Sequence, residues 1–310
     1  MKNPKVLFAG TPEFALASLR AIVDAGIVPM AVLTQPDRPA GRGKRTSASP
    51  VKRYAQEKGL AVLQPATLRD NAIVEQLRDL RPDLIIVAAY GLLLPQAVLD
   101  IPKMGCLNVH ASLLPRWRGA APIQAAILAG DDTTGVCLMA ITAGLDCGPV
   151  YACNALRIGE HETAGELHDR LAVLGGKLLT RYIGDVLDGK LEAEAQDEAN
   201  VTYAGKVRTQ DAAIDWRQSA EELQRLVRAY NPVPGAYFEL DDMRVKCWTA
   251  ESIAGTDAPP GTVTAAGRAG IIVSCREGAL RLLSLQRPGK RAIDAREFAA
   301  QFDLIGRCLS

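Results

Sequence analysis

The sequence predicts an α/β fold followed by a smaller all-β domain, and three observations carry that expectation. Apolar runs alternate with amphipathic stretches through the first two-thirds of the chain. The last hundred residues instead alternate short apolar runs with turns, the spacing of a small antiparallel barrel. A length of 310 residues suits two domains of about 150 residues each.

The elements follow in order. Residues 5–9 are an apolar run closed by Gly10, as in a buried strand. Pro12 opens a helical pattern with Phe14, Leu16, Leu19, Ile22 and Val23 apolar, and Gly26 stops it. Residues 28–33 and 83–89 read as further buried strands, so parallel β-α-β units are expected. Thr163 and Glu166 form a capping box before an apolar stripe of Leu167, Leu171, Leu174, Leu178 and Tyr182, with Gly189 as the stop. Residues 185–198 hold six acids and one Lys without clear periodicity. The expected division is a catalytic domain over 1–188, a linker over 189–208 and a C-terminal domain over 209–310. Ser219 and Glu222 cap a helix there, with Leu223, Leu226, Val227 and Tyr230 on one face. Strands are expected at 245–249, 261–264, 270–275 and 279–286.

Composition removes several function classes. Lys+Arg 36 against Asp+Glu 35 leaves a formal charge of +1, so no global field marks a nucleic-acid or membrane binder. Hydrophobic content of 48% excludes a disordered chain. The longest apolar run, 84–94, is interrupted by Tyr90 and Gly91, and residues 6–9 are too short for a signal-peptide core. Seven Cys without a CxxC, and three His, make neither a disulfide framework nor a zinc site expected; a reducing cytoplasm is. Residues 38–45 fail as a phosphate loop, because Arg38 stands at the first Gly position and Arg45 follows Lys44. No GxGxxG follows the first strand.

Chemistry concentrates in three segments. Asn108 and His110, two apart on an expected strand, share one face, while Leu107 and Val109 share the other. An amide donor beside an imidazole can stabilise an oxyanion and shuttle a proton. Ser112-Leu-Leu-Pro115-Arg-Trp-Arg118-Gly119 is a rigid, basic loop. Gly144-Leu-Asp146-Cys-Gly148 sets a carboxylate between glycines, where it can orient His110 and favour its charged form.

Those segments, with Phe8-Ala-Gly-Thr-Pro12, Thr34 to Gly43, Ser49-Pro-Val-Lys52, Ala89-Tyr-Gly91, Tyr203-Ala204 with Lys206, Ile214-Asp-Trp216 and Asn231-Pro232, occur in family order along nearly the whole chain. In them the chain resembles the formyltransferases that use 10-formyltetrahydrofolate, above all those acting on methionyl-tRNA. The resemblance implies a Rossmann-like N-terminal domain and an OB-like C-terminal barrel. It implies Asn108, His110 and Asp146 as catalytic residues, and Ser112, Leu113, Leu114 and Pro115 as folate contacts. The co-substrate would be 10-formyltetrahydrofolate, with no metal. The acceptor would be the amine of methionyl initiator tRNA, and the protein a cytoplasmic monomer. Cys147 stands where the family commonly has Thr, and Ala111 where it commonly has Gly.

Charge patterning supplies an expected tRNA surface. Residues 36–53 hold six bases and one acid, and 276–296 hold six bases and two acids. Arg42, Lys44 and Arg45, near Gly41 and Gly43, suit a mobile phosphate-binding loop, and Lys206 is expected to join them. Competing expectations are a sugar-nucleotide N-formyltransferase, a formyltetrahydrofolate hydrolase or dehydrogenase module, and a non-catalytic tRNA-binding or folate-sensing protein. The basic loop argues against the first, and intact Asn108, His110 and Asp146 against the last.

Overall fold

A computed structural model describes residues 4–40, 45–255 and 257–310, with the side chains at 39, 40, 45 and 46 set aside. The chain forms two compact units. The first comprises Met1–Pro122, Thr133–Arg157 and His168–Ala204; the second comprises Ile123–Asp132, Ile158–Leu167 and Gly205–Ser310.

The elements up to residue 129 are β1 (Val6–Gly10), α1 (Glu13–Asp24), β2 (Ala31–Leu33), β3 (Arg38–Ala40), β4 (Arg45–Ser47), α2 (Pro50–Glu57), β5 (Val62–Leu63), α3 (Asn71–Leu80), β6 (Leu84–Ala88), α4 (Gln96–Leu99), β7 (Cys106–His110), β8 (Arg118–Gly119) and α5 (Pro122–Ala129). Then come β9 (Thr133–Ala140), β10 (Val150–Arg157), α6 (Ala164–Leu187), β11 (Tyr203–Ala204) and α7 (Ala220–Ala229). The last are β12 (Ala236–Leu240), β13 (Met243–Ile253), β14 (Val263–Gly267), β15 (Gly270–Ser274), β16 (Ala279–Gln286), β17 (Ile293–Asp294) and α8 (Ala295–Ala299).

In the first unit one seven-stranded sheet runs β10-β9-β7-β6-β1-β2-β5. β5, β2, β1, β6 and β7 are mutually parallel, which is the expected doubly wound half. β1 and β6 are buried on both faces, so they read as unbroken apolar runs. β9 and β10 add to β7 in antiparallel sense, a part of the sheet that the sequence reading did not anticipate. The strand expected at 28–33 is confined to Ala31–Leu33, and Val28 is 60% exposed. Cys137 and Cys153 face each other across β9 and β10 as a disulfide, which the expectation of a reducing compartment without a disulfide framework did not anticipate. A spacing of 16 residues without a CxxC gave no signal for it. Within the basic stretch expected as a loop, β3 and β4 pair antiparallel, with Arg38 opposite Ser47.

Two glycines set how close α6 comes to this sheet and to α1. A Cβ on Gly175 would meet Val109 Cγ1 at 2.9 Å, and one on Gly176 would meet Ala21 Cβ at 3.0 Å. The stripe toward the core is Leu167, Leu171, Leu178, Leu179 and Ile183; Tyr182, expected on it, is half-buried beside Arg181.

The second unit has an antiparallel sheet in the order β12-β13-β16-β15-β14, with β17 on β16. The Ser219–Glu222 capping box forms as expected and buries Leu223, Leu226 and Val227 against this sheet's core. β12 and β17 were not expected. The β12–β13 turn has Asp241 and Asp242 both at positive φ, the backbone of a two-residue primed hairpin. Residues 306–310 run between the sheet's two ends. The Leu309 amide donates to Gly261 and the Gly306 amide to Val263, while the Ser310 amide donates to Glu239. That tail carries the antiparallel sheet round toward a barrel. Within the same unit, Arg225 Nε donates to the Leu128 carbonyl and the Gly165 amide to the Asn231 carbonyl, so both inserted pieces are tied in.

Candidate active site

β7 ends at His110 at the carboxyl edge of the sheet, where a doubly wound fold places its ligands. Val109 is buried on the α6 side, so Asn108 and His110 share the opposite face as the alternation requires. His110 is 6% exposed, while Asn108 is partly open. Cys106, at the start of the same strand, is pushed up to about 12 by burial and is an inert neighbour.

Asp146 comes to this face from the loop between β9 and β10. Its Oδ1 lies 3.5 Å from Asn108 Nδ2. Its Oδ2 lies 3.6 Å from His110 Nδ1 and accepts from the Gly119 amide at 2.9 Å. The three residues singled out from the sequence therefore converge. Asp146 has φ +46, and Asp tolerates this left-handed backbone better than most side chains.

The Trp117 carbonyl sits 3.1 Å from His110 Nε2. A carbonyl offers no proton, so Nε2 carries the hydrogen and Nδ1 is left facing Asp146. Trp117 also has positive φ (+63), and its amide donates to Thr202 Oγ1 at 2.9 Å. The Arg116 guanidinium stacks 4.3 Å above the indole.

Arg118 is 2% exposed and forks onto Glu198, with Nη2 to Oε1 at 2.8 Å and Nη1 to Oε2 at 3.3 Å. That pairing raises the Arg118 guanidinium above its usual range and holds the Glu198 carboxyl below its own. Gly119 must lack a side chain: its φ is +123, and a Cβ would meet the Ala204 carbonyl at 2.4 Å. β8 pairs with β11 here in parallel. Gln196, Glu198, Thr202, Tyr203 and Ala204 thus belong to the site's surroundings, though they lie within the stretch expected as a linker. Sequence reasoning missed Gln196, Glu198 and Thr202, because bonds reaching back 50 to 85 residues leave no local periodicity.

The run expected to touch folate is partly spent internally. Ser112 is wholly buried and its hydroxyl donates to the Arg116 carbonyl at 2.6 Å. Leu113, Leu114 and Pro115 are half-buried beside it. Nearby, the Tyr90 carbonyl accepts from Thr11 Oγ1 and Gln35 Nε2, knitting together the ends of β1, β2 and β6. Among the described residues no group of His, Cys, Asp and Glu could hold a metal.

Arg42 and Lys44 lie outside the described residues. Arg45 opens β4, and Lys206 is exposed at the start of the second unit's last segment. Lys52, counted in the basic run, is bound to Asp37 at 2.6 Å, and Gln64 donates to the same carboxylate at 2.8 Å. Both partners hold the Asp37 carboxyl below its usual range, with Lys52 the larger cause. In the second basic run Arg276, Arg281 and Arg296 each face a carboxylate, while Lys290 and Arg291 project from the β16–β17 turn.

Comparison with known proteins agrees along the whole chain. The family model described as formyl transferase matches residues 3–183, and that for the formyl transferase C-terminal domain matches 206–303. A methionyl-tRNA formyltransferase from Methylococcus capsulatus is 49% identical over 306 residues, covering 98% of this chain and 99% of the relative. One from Stenotrophomonas maltophilia is 54% identical over 296 residues, covering 95% and 96%. Among solved structures, an N-formyltransferase from Helicobacter canadensis in complex with folinic acid and dTDP-3-aminofucose superposes with a TM-score of 0.68 at 17% identity, over 90% of this chain and 99% of that one. HypX from Aquifex aeolicus in complex with tetrahydrofolic acid gives 0.63 at 18% identity, over 97% of this chain and 47% of that one. At such identities the two structures speak for the fold alone.

Proposed function

We propose, since this chain belongs to the formyl transferase family and within it to the methionyl-tRNA formyltransferases, that Asn108, His110 and Asp146 transfer the formyl group of 10-formyltetrahydrofolate to the α-amine of methionyl initiator tRNA. The convergence of these three side chains at the end of β7 is the observation that carries this assignment of roles.

The amine nitrogen attacks the formyl carbon, a C–N bond forms, and the carbonyl oxygen becomes an oxyanion. Asn108 Nδ2 has only a long contact to Asp146, so it keeps donor capacity for that oxygen. A donor of this kind contributes about 3–4 kcal/mol in the transition state. His110 Nε2 is engaged by Trp117, so Nδ1 is the nitrogen that exchanges a proton with Asp146. Their 3.6 Å separation closes to a hydrogen bond when substrates exclude water. The amine gives up a proton to this pair. The bond from the formyl carbon to N10 of the folate breaks, and N10 leaves with a proton. The products are tetrahydrofolate and formylmethionyl-tRNA, and no redox step is involved.

Phosphate contacts through Arg42, Lys44, Arg45 and Lys206 are proposed to supply most tRNA affinity. Ser112 contributes to the folate site by fixing the turn, and Leu113, Leu114 and Pro115 by lining it. We propose that the first unit carries the transfer chemistry and that residues 189–204, expected as part of a linker, serve its active site. The reading includes a monomer acting in the cytoplasm; among the described residues no helix is long and apolar enough to cross a membrane.

The test offers methionyl initiator tRNA, methionyl elongator tRNA and an amino-sugar nucleotide in parallel, with 10-formyltetrahydrofolate. Formylation confined to the initiator tRNA is expected. Turnover on the amino sugar, or release of formate without an acceptor, would overturn the assignment.

A further inference from the structure

We propose that Gln196 is a positioning residue for the transfer reaction, setting the place of the Asp146 carboxylate through the backbone of its loop. The proposal rests on the catalytic role given to Asp146 above. Gln196 Nε2 donates to the Asp146 carbonyl at 2.8 Å and to the Gly148 carbonyl at 2.7 Å. Gln196 Oε1 accepts from Arg118 Nε at 2.9 Å. The amide orientation is forced, because Arg118 Nε can only donate and both carbonyls can only accept.

One side chain therefore joins the two segments that meet at the carboxylate. Its donors hold the backbone on both sides of Cys147. Its acceptor holds Arg118, whose neighbour Gly119 donates its amide to Asp146 Oδ2. Arg118 is held from the other side by the Glu198 fork, so the Gln196 acceptor meets a fixed partner. The loop needs such a hold. Asp146 has φ +46, a conformation that persists only where surroundings over-determine it. Gly148 allows the close passage, since a Cβ there would meet the Ala140 carbonyl. Gln196 touches neither Asn108 nor His110 among the described contacts, so its effect passes through Asp146.

Two variants separate shape from hydrogen bonding. Gln196→Met keeps the volume and loses every bond. Gln196→Glu keeps the acceptor for Arg118 and turns an oxygen against the two carbonyls. Both are expected to lower kcat about 10- to 100-fold, with KM for 10-formyltetrahydrofolate within about twofold. In an Asp146→Asn background the same changes are expected to cost less than about twofold, because residues acting as one unit are not additive.

A second readout does not depend on turnover. The chain has three His, so the imidazole signals of His110, His161 and His168 can be followed separately by NMR. The groups facing His110 are Asp146 on Nδ1 and the Trp117 carbonyl on Nε2. Either Gln196 variant is expected to shift the His110 imidazole resonances, because the carboxylate facing Nδ1 moves, and to leave those of His161 and His168 in place. Full additivity in the double variants, or unmoved His110 resonances in a folded Gln196 variant, overturns the proposal. Wild-type protein that formylates no methionyl-tRNA overturns the proposed function instead, and the His110 resonances still decide whether Gln196 positions Asp146.

Discussion

At the scale of single residues the site makes sharp demands. Asn108→Ala removes the amide proposed to donate to the oxyanion and is expected to lower kcat about 10²- to 10³-fold, with folate binding little changed. Steady-state kinetics in both substrates, with a folate titration by fluorescence, check this. Asp146→Asn is expected to abolish most turnover in a fully folded protein. Asn tolerates the φ of +46 that this position requires, so the backbone loses nothing. Circular dichroism and thermal melting beside the assay separate the outcomes, and a collapsed melting temperature would count against a chemical role. That Asn108, His110 and Asp146 could meet was legible in the sequence for physical reasons, while their catalytic roles came from the family resemblance. Two polar groups at i and i+2 on a strand must share a face, and a carboxylate between glycines can approach a partner. Trp117 was visible only as an aromatic on a loop. That it serves His110 through its carbonyl oxygen depends on φ +63, which no side-chain pattern encodes.

At the scale of elements, close approach and capping decide more than propensity. Gly184 in α6 has nothing within 4 Å of a built Cβ, so Gly184→Ala is expected to gain about 0.5–1 kcal/mol from helix propensity alone. Gly175→Val is expected to lose about 1–3 kcal/mol, because Val109 lies 2.9 Å from where its Cβ must go. Val109 sits between Asn108 and His110, so activity should fall with stability in that variant and stay constant in Gly184→Ala. Urea unfolding of the pair reads both. At the other end of the sheet, the Asp83 carboxylate accepts from the Lys5 amide and from Lys103, tying β1 to β6. These bonds, the Lys5 amide first, hold Asp83 below its usual value against the opposing effect of burial. A depressed folded-state value means the stabilisation is complete above the unfolded value near 3.9 and is lost as pH falls through the folded one. Asp83→Asn should therefore cost about 1 kcal/mol at pH 7 and progressively less below pH 4 or so, by urea unfolding at both pH values. β1 and β6 were legible as unbroken apolar runs, and α1, α6, α7 and β16 by their periods, caps or bounding turns. β12 was hidden because its turn is Asp-Asp rather than the Gly-containing pair that marks a primed hairpin. β9 and β10 were hidden because the antiparallel sense of a strand is set by its neighbours and not by its composition.

At the scale of the whole molecule, a net charge of +1 hides a local distribution, and salt dependence is the measurement that exposes it. Neutralising Lys290 and Arg291 together is expected to weaken tRNA binding and flatten its salt slope by up to about two counterions, leaving kcat at saturating tRNA unchanged. Neutralising Lys52 is expected to do less, because its charge is already met by Asp37. Binding isotherms across a salt series distinguish the two. The charge clusters were legible in the sequence; which members are already paired was not, since pairing depends on distances across the fold.

The interleaved make-up of the two compact units bears on how such a protein can be divided in the laboratory. A gene split at one point, however well placed, cannot yield both units whole. A fragment stopping at residue 204 keeps the loop partners of Asp146 but also carries 123–132 and 158–167, which belong to the other unit. Leu128 would have lost the cluster it packs against, and its carbonyl would have lost Arg225. The complementary piece from 205 onward would lack those same segments. Neither half is a self-sufficient building block for grafting onto another protein. Recombination among relatives that respects this architecture has to exchange residues 123–132, 158–167 and 205–310 together, three stretches inherited as one.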